Sequence, residues 1–203
     1  MPFRARTGRS FAIAAAAVMV SASLGWFISD RLEENNDFCV RCHLGPGRPL
    51  HADIRRDFDG DPPATLAAAH GRARAVSDSA VFRCIDCHGG ASFVGRVRVK
   101  ALAARDAFWY AVGNFEEPTG MRWPLWDEDC LECHARFDTS HVEAWQSPRF
   151  HQLPVHNAAL GVTCVECHLS HELGGNPDAQ FVHASRVRAQ CARCHPKFEE
   201  GME

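Results

Sequence analysis

The one long apolar segment of the chain runs from Phe11 to Ile28 without a charge, preceded by Arg4, Arg6 and Arg9 and followed by Asp30, Arg31, Glu33 and Glu34. Its 18 residues would span about 27 Å as a helix, enough to cross a hydrocarbon core. The basic flank belongs in the cytoplasm, which places everything after residue 30 on the far side. The apolar stretch continues through Leu24, Trp26, Phe27 and Ile28, with Trp26 where an interfacial aromatic belongs, so it reads as a retained anchor. A signal peptide cleaved at Ser21-Ala22-Ser23 is the competing reading.

Beyond the anchor the patterning is weaker. Gly45 to Pro63 is rich in Gly, Pro and Asp and reads as loop, with a short helix following from Ala64 to about His70. From Val97 to Val112 the residues Val97, Ala101, Ala104, Phe108 and Val112 recur at helical spacing among Arg96, Arg98, Lys100, Arg105 and Asp106, which predicts an amphipathic helix. The expected fold is mainly α with extensive loop: an N-terminal membrane anchor over residues 1–30 and a second domain over residues 31–203.

The cysteines change the picture most. All ten fall in five Cys-x-x-Cys-His cassettes: Cys39/Cys42/His43, Cys84/Cys87/His88, Cys130/Cys133/His134, Cys164/Cys167/His168 and Cys191/Cys194/His195. Two thiols three positions apart can each form a thioether to one porphyrin, and the next imidazole then reaches the iron. Zinc ribbons and disulfides also use paired cysteines, but neither needs a histidine after every second one. With 12 histidines in 203 residues, five such coincidences have a probability of about one in a million. The expected cofactor is therefore haem c, five copies, covalently attached, and the expected class is electron transfer. The pattern makes the chain a multihaem cytochrome c with one N-terminal transmembrane helix, its haem domain in the periplasm and its anchor in the inner membrane. In this setting Trp109 and Tyr110 of the predicted helix are available either to a membrane interface or to a haem face.

Successive cassette histidines are separated by 45, 46, 34 and 27 residues, so the unit repeats chemically without a true sequence repeat. Seven further histidines remain: His51, His70, His141, His151, His156, His171 and His183. That is enough to give every iron a second imidazole, which suits fast electron exchange because neither redox state must change ligands. His70, His141, His171 and His183 are the leading distal candidates, His151 and His156 compete for one role, and His51 is the weakest. Of the methionines only Met121 and Met202 lie outside the anchor region, so methionine ligation is open to one site at most. A formal charge of −3 offers no basic surface of the kind nucleic acid requires.

Three stretches carry a family likeness. They are the anchor running into Asn35-Asn36-Asp37-Phe38-Cys39-Val40-Arg41-Cys42-His43; the stretch Phe93 to His134, with Val99-Lys100-Ala101 and Val112-Gly113-Asn114; and His156 to Leu173, with Gly161-Val162-Thr163 before the fourth cassette. Together they resemble the membrane-anchored NapC/NirT cytochromes, including the NrfH type, over most of residues 10 to 173. The resemblance implies a quinol dehydrogenase that takes electrons from membrane quinol and relays them to a periplasmic redox partner. In that family quinol binds beside a lysine and an acidic residue on the helix after the second cassette, and the matching positions are Lys100 and Asp106. A carboxylate there can accept a quinol proton while the lysine orients a quinone oxygen. Residues six apart on one helix are offset by about 120°, and solvated surface charge is the plain alternative.

The chain departs from the family in two places. Leu44-Gly45 stands where the family has a methionine after the first cassette, which leaves the first iron to His51 or five-coordinate. The fifth cassette lies beyond the likeness and would extend the wire toward its partner. Two other functions compete: a haem-bearing subunit of a larger membrane complex without its own quinol site, and a haem reductase. The last needs an open iron and usually a distinctive proximal ligand, whereas all five cassettes end in histidine.

Overall fold

The computed structural model describes residues 3–45, 47–72, 82–118, 120–135 and 161–196, so His141, His151 and His156 lie outside the described residues. The chain is mainly helical. Helix α1 (Phe3–Glu33) contains an apolar span, Gly8–Glu33, of mean hydropathy 2.0 with none of it buried. It is long and apolar enough to cross a membrane. It also runs past residue 30, because Asp30 and Glu33 in its last turn bind Arg96 and Lys100 of a later helix.

The chain then makes a 3-10 turn (Asn36–Val40), started by the Asn35 side chain accepting from the Asp37 N–H at 2.9 Å. A small antiparallel pair follows, β1 (His43–Gly45) and β2 (Arg48–Pro49), registered His43 to Pro49 and Gly45 to Arg48. Helices α2 (Ala52–Phe58) and α3 (Leu66–Arg72) pack on each other, and the cassette helix α4 (Cys84–His88) comes next. The predicted amphipathic helix is α5 (Phe93–Ala111), capped by Ser92, whose hydroxyl accepts from Gly95 N–H at 3.1 Å. The remaining helices are α6 (Asp127–Leu131), α7 (Cys164–Cys167) and α8 (Ala184–Ala192).

The expected loop from Gly45 to Pro63 is not all loop, since it contains β2 and α2. Apolar periodicity cannot reveal Ala-Asp-Ile-Arg-Arg-Asp-Phe, whose helix is supported by charge pairs one turn apart. Arg56 meets Asp53 at 2.8 Å and Arg55 meets Asp59 at 3.0 Å. Its single buried side chain, Phe58, lies against α3.

Among the described residues only Phe58, Thr65, Ala68, Gly95, Gly175 and Phe181 are buried, so side chains alone form a very small core. Thr65 accepts from Ala68 N–H at 3.1 Å and starts α3, and Ala67 N–H donates to Ser170 carbonyl at 2.8 Å, tying α3 to the segment after the fourth cassette. A Cβ on Gly71 would sit 2.7 Å from Phe58 Cζ. Gly71→Ala is therefore expected to destabilise the protein by about 1–3 kcal/mol through overpacking, seen as a lower denaturation midpoint.

Candidate haem centres

Four of the five cassettes begin on short helices. The side chains of Asp86, Asp129 and Glu166 accept from the N–H groups of Arg83 (2.7 Å), Trp126 (2.9 Å) and Thr163 (2.6 Å), starting α4, α6 and α7. The turn then carries through to the histidine: His134 N–H reaches Cys130 carbonyl at 3.0 Å, His168 reaches Cys164 at 2.9 Å and His195 reaches Cys191 at 2.8 Å. One helical turn places residues i, i+3 and i+4 on one side, as two thioethers and an axial imidazole require. The first cassette differs, since Cys39 sits in the 3-10 turn and His43 opens a strand. Its backbone is held instead by Tyr110, whose hydroxyl accepts from His43 N–H at 3.0 Å and donates to His43 carbonyl at 3.1 Å.

The cassettes pack in chain order. Cys39 of the first donates its S–H to Cys84 of the second, which pulls the Cys84 thiol down to about 7 and holds Cys39 protonated. Burial pushes Cys87 of the second cassette up to about 12, with Cys130 and Cys133 of the third close enough to add to the effect. Cys164 of the fourth donates to Cys130 of the third and is itself held well above the ordinary thiol range. Cys167 of the fourth is raised by burial and then by the neighbouring Cys191 of the fifth. Polar bonds secure each step. Asn36 Oδ1 accepts from Cys84 N–H at 2.8 Å, Asp129 Oδ1 from Ala91 N–H at 2.7 Å and Asp127 Oδ1 from Cys164 N–H at 2.8 Å, while Gln190 Nε2 donates to Glu166 at 3.4 Å. Asp127→Ala is expected to cost about 1.5–3 kcal/mol, the usual value of a hydrogen bond to a charged group, measured as a lower denaturation midpoint.

Cys194 departs from this serial pattern. Spacing alone makes it the equal of the other nine thiols, but the structure leaves it exposed, as it does Cys133, whereas the remaining eight are half-buried. Their places explain the difference. Helices α6 and α8 end at Leu131 and Ala192, so Cys133 and Cys194 both lie beyond the helices that carry Cys130 and Cys191, their N–H groups donating to the Cys130 and Cys191 carbonyls at 3.3 Å and 3.2 Å. Cys191 thus belongs to the packed row, while Cys194, like Cys133, is exposed.

Two pairs of imidazoles stand at a telling separation. His88 and His171 have ring centroids 6.0 Å apart with planes 18° from parallel, and His70 and His134 have centroids 5.9 Å apart with planes at 84°. Two imidazoles bound to opposite sides of one iron, each with a bond of about 2 Å and a ring radius of about 1 Å, have centroids about 6 Å apart at any mutual rotation. Burial, then the nearby His171 and His51, hold His88 at about 4, hence neutral at physiological pH, the form that ligates metal. His70 Nδ1 lies 2.9 Å from the Leu66 carbonyl, so it carries the proton and Nε2 is the acceptor nitrogen. His70 is also close enough to His168 of the fourth cassette to lower it, after burial, so it stands between two cassettes.

His183, the residue before α8, has a buried Nε2 with no hydrogen-bond partner among the described residues. An orphaned buried imidazole nitrogen is what an axial ligand presents. All ten cysteines are free thiols, as thioether formation requires. Among the described residues no three His, Cys, Asp or Glu side chains gather to hold a bare ion. A haem iron needs only two protein ligands, because the porphyrin supplies four nitrogens. The residues present therefore fit covalent haem.

His51 follows Leu50, whose N–H donates to the Cys42 carbonyl of the first cassette at 2.7 Å. Its N–H donates to Glu117 Oε1 at 2.8 Å and its Nδ1 lies 3.4 Å from the same oxygen, which holds its backbone in the left-handed region at φ 54°. It also lies near His88 and His171, between the first and second cassettes.

The structure does not bring Lys100 and Asp106 together. Lys100 Nζ donates to Ser29 Oγ at 2.6 Å and meets Asp30 and Glu33 at 2.8 Å each, 5.7 Å from the Trp26 ring. Asp106 pairs with Arg105 at 3.0 Å. The carboxylates facing Lys100 are thus those of α1.

The sequence reading missed Asn36, Asp127, Asp129 and Glu166 as links between cassettes, and Tyr110 and Glu117 as supports for cassette and ligand backbones. The acidic residues at the third position of short helices were a readable capping signal; the long-range partners left none. No protein-family model, curated protein or solved structure matches the chain.

Proposed function

We propose that this chain is a membrane-anchored pentahaem cytochrome c of the NapC/NirT kind, passing electrons from membrane quinol to a periplasmic redox protein. The observation that carries the reading is the serial packing of the five cassettes, with cysteines of each successive pair adjacent. A thioether sulfur is bonded to the porphyrin edge, so neighbouring sulfurs bring neighbouring edges close, and proximity governs electron exchange. When bound, each haem supplies a one-electron redox couple. The chain supplies the order, the axial imidazoles (His43, His88, His134, His168 and His195, with His70, His171 and His183 opposite) and the exclusion of competing ligands. Cassette one, which begins in the 3-10 turn after α1, is the membrane end, and cassette five, with Cys194 exposed, is the exit.

A second reading makes the chain a haem-bearing subunit of a larger membrane complex, fed by another protein. It is favoured by the engagement of Lys100 with Ser29, Asp30 and Glu33, which leaves that lysine committed to the anchor. The two separate in one assay on the full-length haem-loaded protein in vesicles. Reduction of the haem absorption bands by a short-chain quinol supports the first. Full reduction by dithionite with none by the quinol supports the second.

A further inference from the structure

Six residues of α5 form an apolar stripe that nothing among the described residues covers: Phe93, Val97, Ala101, Ala104, Phe108 and Val112, the last at its C-cap. At about 100° per residue they fall within an arc of about 100°. All six are exposed, Phe93 at 78%, Phe108 at 58% and Val112 at 53%. The other sides of the helix are assigned. Roughly opposite the stripe are half-buried Val99 and Leu102, with Tyr110 bound to the first cassette's histidine. About 90° from the stripe's centre, Arg96 and Lys100 bind Ser29, Asp30 and Glu33 of α1. On the other flank are Arg98, its guanidinium 5.4 Å from the centre of the Trp126 ring, and Arg105.

We propose that α5 lies flat in the membrane surface beside α1, its stripe seated at the boundary of headgroups and acyl chains. The inference rests on reading α1 as a retained anchor. The order around α5 is then that of an interfacial helix: apolar side down, haem domain above, anchor on one side and arginines at headgroup level on the other. Continuity with α1 selects lipid as the occupant. The bonds from Arg96 and Lys100 reach the first turn after Ile28, where the apolar run ends, and so fix α5 at the depth where the bilayer surface begins. Arg98 and Arg105 suit anionic headgroups.

The test places one nitroxide-labelled cysteine at a time in the full-length haem-loaded protein, where the native cysteines are consumed by haem, in vesicles of phosphatidylcholine and phosphatidylglycerol. The variants are Val97→Cys and Phe108→Cys on the stripe, Asp106→Cys opposite it and Val18→Cys in α1. Collision rates with oxygen, which enters lipid, and with a water-soluble nickel chelate are compared. The expected oxygen-to-nickel ratio is several-fold higher at 97 and 108 than at 106, and higher again at 18. Equal ratios at 97, 108 and 106 overturn the proposal. Shielding of 97 and 108 from both reagents also overturns it, and assigns the stripe to a second copy of the chain. A water-exposed label at 18 sinks the anchor reading itself, and the proposal with it.

Discussion

Replacing His171 by alanine is expected to turn one of the five haems from low-spin six-coordinate into high-spin five-coordinate iron, seen as a new high-spin signal in the electron paramagnetic resonance spectrum of the oxidised protein. The reason is its place opposite His88, with ring centroids 6.0 Å apart and planes 18° from parallel. His51 is the nearby substitute, and its bonds to Glu117 hold it in place. If His51 moves in, the single variant stays low-spin with shifted signals, and the His51→Ala/His171→Ala double variant becomes high-spin. An unchanged spectrum from both variants would mean that the second iron draws its distal ligand from elsewhere, and would remove the 6 Å pairing as a guide to ligation.

Lys100→Met is the change expected to weaken the junction of α1 and α5 most. The Lys100 and Glu33 side chains are only 10% and 12% exposed, and Arg96 shares the same two carboxylates. Removing the lysine leaves a largely buried carboxylate with one cation instead of two. Breaking a buried pair by deleting one partner typically costs about 3–5 kcal/mol, and the remaining Arg96 should hold the loss near the lower figure. Lys100→Arg should retain most of the stability. The check is denaturation of the detergent-solubilised protein, followed by haem absorbance. A loss below about 0.5 kcal/mol, as for an exposed pair, would contradict the clamp.

What the sequence made legible was local. The helix expected at residues 97–112 is α5, a few residues longer at its start, because Val97 to Val112 keeps its apolar period and Ser92 supplies a cap. The short helix expected from Ala64 is α3, begun by Thr65. Helix α2 was not legible, because charge pairs rather than an apolar stripe hold it. The candidate ligands were legible one by one, but not their pairing: His171 lies beyond the fourth cassette in sequence and beside His88 in space. Nor could spacing give the serial order, which depends on Asn36, Asp127, Asp129 and Glu166 reaching across to the next cassette. Identical motifs likewise concealed that Cys133 and Cys194 are exposed, because their surroundings depend on where α6 and α8 stop. The lysine and aspartate suggested for quinol binding share a helix, but the carboxylates that meet Lys100 come from α1, a tertiary fact invisible in one helix's pattern.

The proposed electron transfer depends on five covalent haems, and the intact mass of the protein tests that most directly. Produced with cytochrome c maturation machinery, the purified chain should weigh as much as its mature polypeptide plus five haem groups, with no thiol left to alkylate, the exposed Cys194 included. A mass with fewer haems, or one lowered by paired thiols, would contradict the account.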